Sequence, residues 1–133
     1  MDDLDQNIIT ALQKDSRMAF LQLAKDLKVS EGTIRNRVYR MQKKGIIRNF
    51  TVNLTTEASA FVEIMTDPRV STTEISKKIR KLGVDQVYEL AGRVTIVCML
   101  RTKGLSETND MVEAIRKLDG VQQTETFPVL KVV

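Results

Sequence analysis

Six side chains between residues 30 and 44 carry the donors from which chemistry could be built: Ser30, Thr33, Asn36, Arg37, Arg40 and Lys44. Wound as a helix at about 100° per residue from Thr33, they collect into one stripe: Thr33, Asn36, Arg37, Arg40 and Lys44 fall within about 60° of zero, and Ile34, Val38 and Met41 lie together near 80–140°. An amide and a guanidinium on one face are suited to reading base edges, since Arg can fork onto guanine and Asn onto adenine. Ser30, Thr33, Asn36 and Arg37, nearer the helix start, are the expected base readers, and Arg40 and Lys44 the phosphate holders. Arg35 points away, at about 200° on the same wheel, with Tyr39 one turn later on its side. The alternative reading of the stripe is the solvated face of an ordinary amphipathic helix.

Other chemistry is largely excluded. The 133 residues contain no His and a single Cys, so neither a His-based nucleophile pair nor a multi-thiolate or His-ligated metal site can be assembled. No catalytic residue, metal ligand or cofactor is expected, and Cys98 reads as a buried apolar residue in a reducing compartment. Glu63 and Glu89 are lone strand carboxylates rather than an acid/base pair. The start, MDDLDQN, is acidic where a signal peptide is basic, and VTIVCML at 94–100 is too short to span a bilayer. These features predict a cytoplasmic, soluble protein.

The net charge of +4 is unevenly placed. Residues 1–54 carry ten basic and six acidic groups, a difference of +4, whereas the rest holds eleven of each. Within 25–48 there are eight basic groups against Asp26 and Glu31. Charge concentrated in this way suits a polyanion or, equally, a solvated basic helix.

The stripe must be positioned by its neighbours. Leu4, Ile8, Ile9 and Leu12 predict a first helix, with Asp3 and Gln6 as its capping box. Leu23, Ala24 and Leu27 mark a second, ending near Lys28. Ser30 caps a third that runs to Lys44, with Val29 and Ile34 as a hydrophobic staple and Gly45 as the stop. Ile46 and Ile47 then begin an extended run, IIRNFTVNL, expected as a strand. Three short helices and a strand are the spacing of a winged helix-turn-helix. The expected organisation is a DNA-binding domain at 1–48, a hinge strand and short linker at 49–58, and a second domain at 59–133.

The second domain contains a repeat: IRKL occurs at 79–82 and again at 115–118. Each copy ends a helix, the first starting at Ser71 with Glu74 as its capping partner, the second near Ser106. Strand-like runs at 59–66, 86–91, 94–101 and 123–132 flank them, Gly92-Arg93 links the middle two, and Pro128 hints at an edge or bulge in the last. Tandem βαβ units predict an α+β ferredoxin-like βαββαβ domain, with both helices on one face of the sheet. Val94, Ile96, Cys98 and Leu100 alternate with Thr95, Val97 and Met99, so both sheet faces are largely apolar. With aromatics at 5% and a charge-neutral half, RNA stacking is a weak reading of the second face, and sheet-to-sheet dimerisation a better one.

The two halves in this order resemble the leucine-responsive/asparagine-regulator (Lrp/AsnC, feast/famine) family of transcription factors. The resemblance covers nearly the whole chain. It is carried by LDQNIITALQKDSRM at 4–18, LAKDLKVSEGTIRNRVYRMQKKGIIR at 23–48, AFVEI at 60–64, YELAG at 88–92 and DGVQQTETFPVLK at 119–131. It implies dimers joined through the second-domain sheets, often assembling to octamers. It also implies an amino acid or similar small metabolite bound near the turn between the middle strands, at Gly92, Arg93, Val94 and Thr95, with Thr124 and Thr126 on the last strand as further candidates. Three departures stand out: Thr95 where the family commonly has an acidic residue, a shorter link between Ile47 and Ala60, and Ala19 where a Ser often caps the second helix.

The expected function is therefore a sequence-specific regulator that binds double-stranded DNA and whose oligomeric state or affinity is set by such an effector. A symmetric dimer would address half-sites about 10 bp or a multiple apart. On this reading Arg37→Ala loses sequence discrimination and Lys44→Ala weakens binding to all sequences. The alternatives are a nucleoid-organising protein of the same architecture with little sequence preference, and a small-molecule sensor or enzyme subunit whose helices dock protein.

Overall fold

The computed structural model describes residues 1–54, 58–84 and 86–133. Packing divides the chain into two units, Met1–Asn53 and Leu54–Val133.

In the first unit, α1 spans Asp3–Lys14, α2 Phe20–Leu27 and α3 Glu31–Lys43. Their apolar stripes converge on one core built from Ile8, Leu12, Leu23, Ala24, Ile34, Val38 and Met41. The α1 cap is shifted by one residue from the expected Asp3–Gln6 pair: Asp2 is the N-cap and Asp5 its partner, each side chain accepting from the other's backbone N–H. A carboxylate at both positions also suits the positive end of the helix. Ala19 precedes α2 with no side-chain cap. Lys28 ends that helix in the left-handed region, and three residues on the first turn of α3 is under way, with Ser30 accepting from Thr33 N–H at 3.1 Å.

The α3 terminus is a Schellman closure. Gly45 has φ +71°, its N–H donates to the Gln42 carbonyl, and the Ile46 N–H donates to that of Met41. The expected strand after it does not form: the described residues from 46 to 54 make no ladder. Extended backbone becomes a strand only beside a partner, and no described segment of this unit offers one. Phe50, Val52 and Leu54 are exposed along it. Of the expected linker, residues 55–57 lie outside the described residues.

The second unit begins with β1, Ala58–Thr66, and continues through α4, Thr72–Lys81; β2, Gln86–Glu89; β3, Ile96–Thr102; α5, Leu105–Arg116; and β4, Val121–Pro128. The sheet order is β2-β3-β1-β4 with antiparallel neighbours, which is the βαββαβ arrangement. Val62, Ile64, Ile96, Cys98 and Leu100 point from the two central strands into a core completed by Ile75 and Ile79 of α4 and Val112 and Ile115 of α5. Burial pushes the Cys98 thiol up to about 11, so it stays neutral and inert. Pro128 closes β4, an edge strand, where its missing N–H costs no ladder bond.

The repeat's two glycines do different work. Gly83 and Gly120 both adopt positive φ, +97° and +91°. A Cβ on Gly83 would meet open space, but on Gly120 it would lie 2.8 Å from Ile75 Cδ1 and 2.9 Å from Val70 Cγ1. The second turn is therefore packed directly under the start of α4.

Candidate nucleic-acid interface

The polar stripe of α3 is exposed along its centre. Asn36, Arg40 and Lys44 are open to solvent, and among the described residues neither Arg40 nor Lys44 makes an ion pair. The N-cap of Ser30 and a 2.8 Å contact between its hydroxyl and that of Thr33 organise the first turn, leaving Ser30 exposed and Thr33 half-buried. Arg35 lies off the stripe, as its angle requires: it pairs with Glu31 and stacks over the Phe20 ring at 5.7 Å. Lys43, which the wheel leaves at the margin of the stripe, sits 5.3 Å over the ring of exposed Tyr39 and extends the cationic surface.

Arg37 differs from its neighbours on the stripe. Its Nη1 donates to Asp2 Oδ2 at 2.5 Å and to Asp5 Oδ1 at 3.1 Å, joining α3 to the start of α1. The side chain is only 25% exposed, and Asp5 is buried. The guanidinium, followed by the Asp5 N–H, holds the Asp2 carboxyl down at about 2, and Asp2 and then Asp5 raise the Arg37 pKa in return. The sequence reading saw the acidic start as a cap and missed this pairing. The two acids at i and i+3 were its only local signal.

The expected effector residues gather partly. The Leu90 N–H donates to the Thr95 carbonyl at 2.8 Å, closing the turn that carries Gly92, Arg93 and Val94. Thr95 is anchored to β1: its N–H donates to the Ile64 carbonyl, and its hydroxyl lies 2.8 Å from that of Thr66. Arg93 is exposed, with Nη1 at 3.5 Å from Met65 Sδ. Thr124 and Thr126 register with Ile64 and Val62 across the other side of β1, so they are not brought into contact with the turn. A groove of about 450 Å³ lies elsewhere, in the first unit between residues 9–17 and 47–53.

The outward face of the sheet gathers more aromatic surface than the 5% aromatic content suggests. Phe61 is in register with both Met99 and Phe127, and Tyr88 with Val97. Phe61, Tyr88 and Phe127 are each more than two-fifths exposed. Among them Glu63 stands directly opposite Glu125, a like-charge pair that costs stability in a lone sheet.

The described residues thus form a helix-turn-helix unit with a cationic outward helix, followed by a βαββαβ domain. An AsnC-type helix-turn-helix domain matches residues 1–42, and the Lrp/AsnC ligand binding domain matches residues 59–133. The chain belongs to the Lrp/AsnC family of transcriptional regulators. It is 38% identical to the HTH-type transcriptional regulator LysM of Sulfurisphaera tokodaii, over 99% of this chain and 96% of the relative. With regulator FL11 of Pyrococcus furiosus it shares 32% identity over 99% of this chain and 91% of that one. The fold matches the leucine response regulatory protein LrpA of Mycobacterium tuberculosis at TM-score 0.81 and 23% identity, covering 99% of this chain and 94% of that chain. A feast or famine regulatory protein of the same organism, complexed with L-methionine, matches at TM-score 0.76 and 23% identity over 98% and 92% of the two chains. The protein is thus a DNA-binding transcriptional regulator with a ligand-binding domain, and not an enzyme. Among the described residues no helix is long and apolar enough to cross a membrane.

Proposed function

We propose that the chain is a sequence-specific regulator whose DNA affinity or assembly is set by an amino acid or similar small metabolite. The observation that carries the DNA half is the exposed row of Asn36, Arg40 and Lys44 on α3, in which neither cation is held in an ion pair among the described residues. Ser30 and Thr33 at the helix start lie where a groove-entering helix meets base edges, and Arg40 and Lys44 lie where phosphates run. The effector half is supported by the matched ligand-binding domain and by the structural relative complexed with L-methionine. In this chain the turn of Gly92, Arg93, Val94 and Thr95 offers backbone, guanidinium and hydroxyl groups to a carboxylate and an amine, with the Thr124 and Thr126 hydroxyls beyond β1.

The apolar outward sheet face is the surface through which two copies pair, and an octamer of dimers is the higher assembly to look for. An effector acts by binding one assembly more tightly than another, which shifts DNA affinity by the same difference. Selection of sites from random DNA, with and without a panel of amino acids and with particle mass measured in each, tests the reading. Enrichment of a palindromic site and an effector-dependent change in mass or affinity support it. A specificity ratio near one points instead to a nucleoid-organising role.

A further inference from the structure

Asp2, Asp5 and Arg37 form a closed ring. Asp2 accepts from the Asp5 N–H through Oδ1 and from Arg37 through Oδ2. Asp5 accepts from Arg37 through Oδ1 and from the Asp2 N–H, at 3.4 Å, through Oδ2. All four carboxylate oxygens are engaged, and the same two acids that start α1 hold the middle of α3. On the helical wheel Arg37 falls at about 40°, between the exposed row and the core stripe at about 80–140°. Nη1, shared between the two carboxylates, fixes where the guanidinium lies, and a base contact that drew it away would leave Asp5, which is only 5% exposed, as an uncompensated buried charge. It would also uncover two carboxylates beside a surface that meets phosphates.

We propose that Arg37 is a positioning residue: it pins α3 to the start of α1 and so sets the angle at which Asn36 and Arg40 meet DNA, without touching DNA itself. This rests on the reading of α3 as the groove-entering helix. Base discrimination then belongs to Asn36 and the first turn, and the carboxylates of Asp2 and Asp5 belong to the same positioning unit.

The test uses the full chain and a duplex that the wild-type chain has selected from random DNA, with a random duplex for comparison at fixed salt. Lys at position 37 keeps a charge for the carboxylates but loses the planar fork and the reach with which Arg matches a guanine edge. Arg37→Lys is expected to keep the ratio of specific to random binding within about twofold and to leave preference at every base pair unchanged, whereas loss of a bidentate reader costs about tenfold or more at one base pair. Arg37→Met is expected to lower the ratio at all read base pairs together. Relaxed preference at a single base pair in Arg37→Lys would overturn the proposal. So would Arg37→Met that melts earlier yet binds with an unchanged ratio, since that is stability alone. If Arg37→Met does not fold, Arg37→Lys decides. Asn36→Ala and Thr33→Ala separate the two levels: loss of preference in these variants keeps α3 as the reading helix. If neither variant changes binding, the α3 reading falls and the positioning role with it.

Discussion

The outward face of α3 and the outward face of the sheet are both left unsatisfied by the chain's own packing, in opposite ways. On α3 the core side is filled by Ile34, Val38 and Met41, and what remains outside is cationic and hydrogen-bonding. On the sheet the core side is filled by Val62, Ile64, Ile96, Cys98 and Leu100, and what remains outside is Phe61, Met99, Phe127 and Tyr88 around an opposed pair of glutamates. Cationic donors keep their hydration until a polyanion displaces it, and their contribution falls as salt rises. Exposed aromatic area is driven to a partner by the removal of water and is far less salt-sensitive. One chain thus carries two surfaces that respond to different conditions, and each can be removed without the other.

The largest effect is expected on the sheet. Phe61→Asp combined with Phe127→Asp is predicted to weaken self-association by about a hundredfold or more, since buried aromatic anchors dominate such interfaces. Sedimentation should find monomer under conditions in which the wild-type chain is expected to sediment as a dimer, with binding to random DNA retained. An unchanged mass would assign the face another role. The support beneath that face comes next. Gly120→Ala adds a clash with Ile75 and Val70 to backbone strain and is predicted to cost about 3 kcal/mol, against about 1 kcal/mol for Gly83→Ala, in thermal or urea unfolding. Equal costs would mean that the second turn relaxes.

On the α3 side, Lys44→Ala is predicted to weaken binding to specific and random duplexes alike and to reduce the slope of log affinity against log salt by about 1. The smallest effect lies at acid pH. Asp2 has its ordinary pKa of 3.8 lowered to about 2 in the folded chain. Its contribution to stability is therefore fully present above about 3.8 and lost as pH falls through about 2. The stability difference between wild type and Asp2→Asn should be constant at neutral pH and vanish below that window. A difference that changes between pH 5 and 8 would show that another group holds Arg37.

Much of this contrast was legible in the sequence, because helix and strand periods assign each residue to a face. The period of 3.6 placed Ile34, Val38 and Met41 inside and Asn36 and Arg40 outside, and the alternation at 94–100 grouped Cys98 with Ile96 and Leu100 on one face, the one the helices cover. The repeat pointed to the βαββαβ order, and Pro128 narrowed the last strand to an edge or a bulge, of which the sheet order shows the edge. What was not legible depends on contacts distant in the chain. Arg37 lies within the polar stripe by angle, and only the packing of α1 brings Asp2 and Asp5 to it, 35 and 32 residues away. The aromatics looked too few because they were counted along the chain, whereas the strand register gathers Phe61, Tyr88 and Phe127 on one face. The missing strand after Gly45 has the same origin: β propensity marks a segment that can pair, and pairing needs a second edge.

The central claim is that the exposed face of α3 reads sequence. The most direct measurement is the ratio of affinities for a duplex selected from random DNA and for a random duplex, at one salt concentration, for the wild-type chain and for Asn36→Ala with Thr33→Ala. A ratio of about a thousandfold or more is expected for the wild type, collapsing in the variant while binding to random DNA persists. A wild-type ratio near one, or a ratio that survives the loss of both side chains, would contradict it.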